Sequence, residues 1–292
     1  MRDSRLVRVV EVGPRDGLQN ESAILPLATK IELVERLINA GLASIEVTSF
    51  VNPALVPQMA DAEQVVSAIS GYRGVDQIAL VPNERGYDRA FAAGSRSVEI
   101  FTAATDAFCE ANTRCTVDES FDRFAPIARR ADGAGVRLRG AVSVAFHCPF
   151  SGPVEATAAI RVAERLLALG CAEVAICDTT GRATSDQIEA MLEQVVAHGL
   201  VDMVAFHLHD TFGLAINHIE RALQAGVRTF DASVGRLGGC PFAPGAPGNV
   251  ATEAVLGLLD RGGYQHGIDA RSVAEIGRWI RGELGVRPDA AN

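Results

Sequence analysis

The 292-residue chain carries a single lysine, Lys30, one tryptophan and three tyrosines, and its aromatic content is only 5%. Acidic residues outnumber basic ones by 36 to 27, a formal charge of −9. Such a balance supplies no global positive field and excludes a nucleic-acid footprint, though an anionic small molecule needs only local cations. No apolar run approaches the roughly 20 residues that span a bilayer, and the first eight residues hold no apolar signal core, so neither membrane insertion nor secretion is expected. The six cysteines, Cys109, Cys115, Cys148, Cys171, Cys177 and Cys240, include no CxxC pair. Reduced thiols in a cytoplasmic protein are the expectation. No linker or change of composition divides the chain. The expectation is one catalytic domain over 1–292, with a barrel at about 5–262 and a helical extension at about 263–292. What is abundant is hydrophobic sequence, 48%, enough at this length to bury a core without disulfides or a structural metal.

From residue 7 onward, short β-branched runs alternate with longer amphipathic stretches. Strands are expected at 7–12, 44–48, 77–81, 97–102, 136–144, 173–177, 203–209 and 229–234. Helical patterns fill the gaps at 29–40, 62–70, 84–93, 117–131, 155–169, 185–198 and 214–225, with another at 251–259. Several close on a glycine, as at Gly41, Gly94, Gly170 and Gly226, the residue that most readily adopts a left-handed cap. Eight strands alternating with eight helices predict a parallel α/β sheet closed as a (β/α)8 TIM barrel, with an extra C-terminal helix at 268–284. A doubly wound open sheet is the competing architecture, but no GxGxxG loop follows the first strand.

A barrel gathers its active site at the C-terminal strand ends. Arg15 and Asp16 follow strand one, Glu46 lies late in strand two, Asp178 follows strand six, His207 and His209 end strand seven, and Cys240 sits in the glycine- and proline-rich loop 236–249. His207 and His209 are two residues apart on a strand and share a side, with Val204, Phe206 and Leu208 on the other. That phase aims both rings into the barrel. Two histidines and a carboxylate suit a divalent metal, with Asp16 the carboxylate and Asn249 a neutral oxygen; two satisfied core histidines are the bland alternative. Mixed nitrogen and oxygen ligands suit Mg²⁺ or Mn²⁺. Arg15, charged at any working pH, suits a developing oxyanion, or a structural salt bridge with Glu46. Glu46 points inward with Thr48, where a carboxylate is costly unless paired or functional. The Cys240 thiol can give or take a proton or act as a nucleophile. Cys148 lines the site or is structural. Asp178-Thr179 orients substrate or caps a helix.

The stretch Val10 to Glu21, which contains Gly13-Pro14-Arg15-Asp16-Gly17-Leu18-Gln19-Asn20-Glu21, is joined by Ile45-Glu46-Val47-Thr48-Ser49-Phe50, His207-Leu208-His209-Asp210-Thr211 and the loop 238–249. Together these resemble 3-hydroxy-3-methylglutaryl-CoA lyase, within the metal-dependent TIM-barrel lyases and synthases that include isopropylmalate and homocitrate synthases. The resemblance spans roughly 5–285. It implies that Asp16, His207, His209 and Asn249 hold Mg²⁺ or Mn²⁺, that Asp16 or His207 takes the hydroxyl proton, that Arg15 steadies the thioester enolate, and that Cys240 returns a proton. Glu46 joins this catalytic set, and Arg15, Gln19, Ser49, Thr179, Arg182 and Arg236 are the candidate substrate contacts. The implied reaction is retro-Claisen cleavage of the acyl-CoA to acetyl-CoA and acetoacetate, in leucine degradation and ketone-body metabolism, by a homodimer or small homo-oligomer. The sequence departs from the pattern at His147, Ala175, Arg182 and Arg236. Those arginines motivate a second reading, a lyase of the same mechanism for citramalyl-CoA. A condensing synthase and a non-catalytic acyl-CoA-binding barrel are further alternatives.

Overall fold

A parallel strand cannot return by a tight turn, so each parallel pair needs a crossover, and a β-rich run followed by an amphipathic helix supplies one. Repeated eight times, the unit closes on itself. In the computed structural model, which describes residues 5–240 and 243–285 (without the side chains of 240 and 243–247), the strands follow one another around a closed barrel. They are β1 (Arg8–Glu11), β2 (Ser44–Ser49), β3 (Asp76–Leu80), β4 (Ser97–Ala103), β5 (Arg137–Ser143), β6 (Glu173–Asp178), β7 (Val204–Leu208) and β8 (Thr229–Ala232). Closure is made by β1, which pairs with β8 along its length and with β2 at Glu11 opposite Ile45.

The helices are α1 (Leu27–Asn39), α2 (Ala62–Ile69), α3 (Glu84–Ala93), α4 (Asp106–Thr113), α5 (Val117–Ala134), α6 (Ala156–Ala168), α7 (Ser185–Ala197), α8 (Ala215–Gln224), α9 (Thr252–Arg261) and α10 (Ala270–Glu283). The expected strand ends fall within two residues of the observed ones. Helix α4 was not foreseen. It is only two turns long and buries just Phe108 and Cys109, too few apolar residues for a helical period to register. Also unforeseen is the two-residue hairpin pairing His147–Cys148 with Gly152–Pro153.

Alternation divides the strands into two faces. Outward residues such as Ile45, Val98, Ile100, Leu138, Val174 and Phe206 join the helices in the main hydrophobic core. Facing inward are small residues, Ala141, Ala175, Cys177 and Ala205, in a minor cluster that leaves space along the axis. Below them the interior is charged. Arg139, 1% exposed, donates to Glu99 (2.5 Å), Glu173 (3.1 Å) and Asp231 (2.6 Å). Glu173 is also held by Arg8 at the barrel floor.

The loop after β8 is anchored from outside the barrel. Gly235, at φ +61°, donates to Glu253 (2.8 Å) and accepts from Arg281 of α10 (3.0 Å). Gly277 of α10 lies flush against it: a Cβ on Gly277 would stand 2.2 Å from Glu253 Oε1 and 3.1 Å from the Gly235 Cα.

Glu11, at the top of β1, is fully buried. Its Oε1 accepts from the backbone N–H groups of Gly13 (2.8 Å) and Val234 (2.9 Å), and its Oε2 from the Thr252 hydroxyl (2.6 Å). Burial pushes Glu11 up from 4.5 to about 8, against the pull of those three donors. Because the folded value is the higher one, this group's contribution to stability is complete below pH 4.5 and is lost as pH rises through 8. In Glu11→Gln the amide oxygen keeps the two backbone donors and the amide N–H can face Thr252. The expected result is that wild type loses stability relative to Glu11→Gln between pH 5 and 8, by up to about 1.4 kcal/mol per pH unit. Melting both proteins across that range checks it; parallel curves would mean that Glu11 is ionised throughout.

Candidate active site

The segment after β1 sets the first two functional side chains. Gly13–Gly17 forms one π-helical turn, closed by the Gly17 N–H on the Val12 carbonyl (3.2 Å). Its tightness has a local cause: a Cβ on Gly17 would stand 2.6 Å from Leu237 Cβ, so only glycine lets this turn approach the loop after β8. The turn directs Arg15 and Asp16 over the barrel mouth. Arg15 lies 2.7 Å from Glu46 through Nε, 2.7 Å from Asp16 through Nη1 and 3.8 Å from Glu99 through Nη2. Burial opposes its charge, but Glu46, Asp16 and Glu99 outweigh burial and raise its pKa.

The phase expected for β7 is observed. Val204, Phe206 and Leu208 belong to the outer core, while His207 and His209 line the central cavity with ring centroids 5.3 Å apart. His207 Nδ1 is 3.2 Å from Asp231 Oδ2, and its Nε2 is 4.0 Å from Asp16 Oδ2. Burial would lower the His207 pKa; the hydrogen bond to Asp231 and the charge of Asp16 raise it instead. His209 has no such partner among the described residues, and burial beside His207 pushes it down to about 4. Burial also works against ionisation of Asp16, yet Arg15, both histidines and the Asn249 amide hold it well below the usual carboxylate range.

These residues fit a divalent cation. Asp16, His207 and His209 each offer a ligand atom, all within 4.8 Å of one another. Nδ1 of His209 is buried with no hydrogen-bond partner among the described residues. The Asn249 amide reaches Asp16 Oδ2 at 2.8 Å, and Asn249 bridges the backbone of His209. Around them Asp16, Glu99 and Asp231 outnumber the guanidinium groups of Arg15 and Arg139, and burial pushes the Glu46 carboxyl up, so added positive charge relieves the interior.

The cavity above, about 560 Å³, is lined by Arg15, Asp16, Gln19, Glu46, Thr179 and both histidines, and it extends past Leu55 and Val56 to Phe108, Asn112 and Arg123. Three other candidate substrate contacts, Ser49, Arg182 and Arg236, are not among its described lining residues. The Ser49 hydroxyl is buried in β2. Arg236 pairs with Asp210 at 2.7 Å, and Arg182 lies over the Phe212 ring, 5.8 Å from its centroid. Asp178 orders the turn after β6, accepting from the N–H groups of Arg182 (3.1 Å) and Ala183 (3.0 Å); burial pushes it up to about 6. Cys148 is wholly buried and accepts from the Thr105 hydroxyl at 3.2 Å. The Cys240 side chain lies outside the described residues, although the backbone of Gly239–Cys240 pairs with Ala243–Pro247.

Sequence reasoning passed over Asp231, Glu99 and Arg139. Asp231 sits between the outward Phe230 and Ala232 and Glu99 between Val98 and Ile100, while Arg139 follows the outward Leu138. The phase argument applied to the histidines would have found all three.

The HMGL-like family model matches residues 6–280. A hydroxymethylglutaryl-CoA lyase from Pseudomonas mevalonii is 47% identical over 280 residues, covering 96% of this chain and 93% of that protein. Among solved structures, hydroxymethylglutaryl-CoA lyase from Pseudomonas aeruginosa superposes with a TM-score of 0.95 at 41% identity, covering 98% of this chain and 96% of that one. An HMG-CoA lyase from Acinetobacter baumannii in complex with coenzyme A and 3-methylmalate gives 0.92 at 34% identity, covering 98% and 93%.

Replacing a ligand should remove the cation while leaving the barrel. His209→Ala is expected to melt close to wild type and to weaken Mn²⁺ binding at least about 100-fold, beyond what changes outside the ligand shell cause. Titration of free Mn²⁺ by electron paramagnetic resonance reads this directly, and an unchanged affinity would remove His209 from the ligand set.

Proposed function

This chain belongs to the HMGL-like family, and from that premise we propose that it cleaves 3-hydroxy-3-methylglutaryl-CoA to acetyl-CoA and acetoacetate. The observation that carries the reading is the convergence of Arg15, Asp16, Glu46, His207 and His209 on one cavity, in a chain 47% identical to a hydroxymethylglutaryl-CoA lyase along nearly its whole length. Asp16, His207, His209 and Asn249 would hold Mg²⁺ or Mn²⁺. When bound, the cation supplies Lewis acidity and a template for the oxygen atoms of the substrate.

The chain's own residues account for the rest. The proton of the tertiary hydroxyl passes to Asp16 or His207, the two bases that face each other at the site. As that proton leaves, the C3 oxygen becomes the ketone of acetoacetate. The C2–C3 bond breaks, and its electron pair passes to C2 and the thioester oxygen. Arg15 meets this enolate with a charge that Glu46 and Asp16 hold in place, and its fixed position costs no reorganisation at the moment of cleavage. A proton then reaches C2 to complete acetyl-CoA. We assign that delivery to Cys240, which the sequence puts in the loop above the mouth. Gln19 and Thr179 line the cavity too, and we assign them to the acyl group. The wall from Leu55 and Val56 to Phe108 and Asn112 offers the mixed apolar and amide surface that a pantetheine arm requires.

The citramalyl-CoA reading drew on Arg182 and Arg236, and neither is among the described residues lining the cavity. Ser49 as a substrate contact would need to act from the strand interior. A cytoplasmic setting with reduced thiols agrees with five described cysteines that are all free and buried.

Purified protein with Mn²⁺ should release acetoacetate from 3-hydroxy-3-methylglutaryl-CoA in preference to pyruvate from citramalyl-CoA. Arg15→Met should lower kcat by about 10² to 10³-fold, the usual cost of losing one oxyanion donor, with a smaller change in KM. Folded, metal-loaded protein that releases no acetoacetate would overturn the reading. Equal losses in kcat and substrate affinity would move Arg15 from enolate stabilisation to ground-state binding.

A further inference from the structure

We propose that Asp231, clamped by Arg139, is the positioning residue of the cation site: it fixes the tautomer of His207 so that Nε2 presents its lone pair beside Asp16. The inference rests on the cation reading above and goes beyond it by assigning residues outside the ligand set.

Asp231 stands opposite His207 in the β8–β7 register and is 3% exposed. Each of its oxygens has one partner. Oδ1 accepts from Arg139 Nη2 at 2.6 Å, and Oδ2 lies 3.2 Å from His207 Nδ1. Arg139 cannot swing aside, because its Nη1 is held by Glu99 at 2.5 Å and its Nε by Glu173 at 3.1 Å. A guanidinium has only donors, so whatever atom faces Nη2 must accept. A carboxylate accepts at both oxygens, and the atom opposite Oδ2 must therefore donate. That places the N–H of a neutral His207 on Nδ1 and leaves the Nε2 lone pair on the side of Asp16, 4.0 Å away. The order Arg139–Asp231–His207 thus orients one ligand from the barrel axis, as the partner of a metal-bound imidazole generally does.

The clamp makes an otherwise mild substitution informative. In Asp231→Asn the amide N–H cannot face the guanidinium, so the amide oxygen takes that position and the N–H turns to His207 Nδ1. Nδ1 must then accept, and the ring proton moves to Nε2, where it competes with the cation. Removing one negative charge is a separate effect, and Glu173→Gln controls for it. Glu173 shares the Arg139 guanidinium but has no contact with His207.

Mn²⁺ affinity of wild type, Asp231→Asn and Glu173→Gln would be measured by electron paramagnetic resonance, together with ¹⁵N-histidine NMR of the wild type with Mg²⁺ present. No acyl-CoA is used. The expected result is an affinity about 10- to 100-fold weaker in Asp231→Asn, a change under about threefold in Glu173→Gln, and a His207 N–H at Nδ1 in wild type. A folded Asp231→Asn that binds Mn²⁺ as wild type does, or Glu173→Gln that loses as much as Asp231→Asn, overturns the assignment. If Asp231→Asn does not fold, the wild-type spectrum decides alone, and a proton on Nε2 refutes the tautomer. Wild type that binds no Mn²⁺ removes the cation reading itself, an outcome distinct from the others.

Discussion

A guanidinium sealed inside a barrel with three carboxylates is the constraint on which this molecule depends. Arg139 could not be buried alone, because an unpaired charge in a medium of low polarity costs far more than any single contact returns. Burial works to discharge it, and Asp231, Glu99 and Glu173 together keep its pKa well above the ordinary value. The same arrangement costs those acids little, since each finds its donor without water. One end of the cluster reaches Arg8 at the floor, and the other reaches His207 and, through Glu99, Arg15 at the mouth. Barrel interiors of this class are ordinarily packed with branched aliphatic side chains. Here the lower interior is packed with ions instead, and the catalytic charges above are continuous with it.

Above that layer the strands contribute Ala141, Ala175, Ala205 and Cys177, side chains too small to fill the axis. The space they leave is the cavity. Its polar groups come from all eight strands or the loops that follow them, among them Arg15, Glu46, Asn83, Glu99, Ser143 and Thr179, which closure alone makes neighbours. Burial and the neighbouring His207 keep His209 neutral, whereas His207, one pleat lower, is drawn toward the protonated form by Asp231 and Asp16 against the same burial. Two identical residues two positions apart thus have different electrostatics from a single contact.

Much of this was legible in the sequence. The period-two pattern of β7 gave the inward histidines, the glycine-closed helices gave the alternation, and Arg15, Asp16 and Glu46 were found because a barrel collects strand ends. The charged interior was missed for a physical reason. A carboxylate between two apolar residues, such as Glu99 between Val98 and Ile100, reads as the solvent face of an ordinary strand until closure makes that face the inside. Helix α4 was missed because two turns carry too little amphipathic signal. Arg182 and Arg236 were proposed from their position in the chain, and position says nothing of rotamer; Phe212 and Asp210 take their side chains.

The contact between Gly277 and Gly235 sets a further condition on the site. The stem of the loop that carries Cys240 is held by Glu253 and Arg281, from two helices on the outer side, at a point where neither backbone can carry a side chain. Helix α10 adds no bond to the strand ladders, yet its Val273, Ile276 and Ile280 belong to the main core. The same helix that covers the barrel therefore also seats its last loop, through residues that are not among those described as lining the cavity.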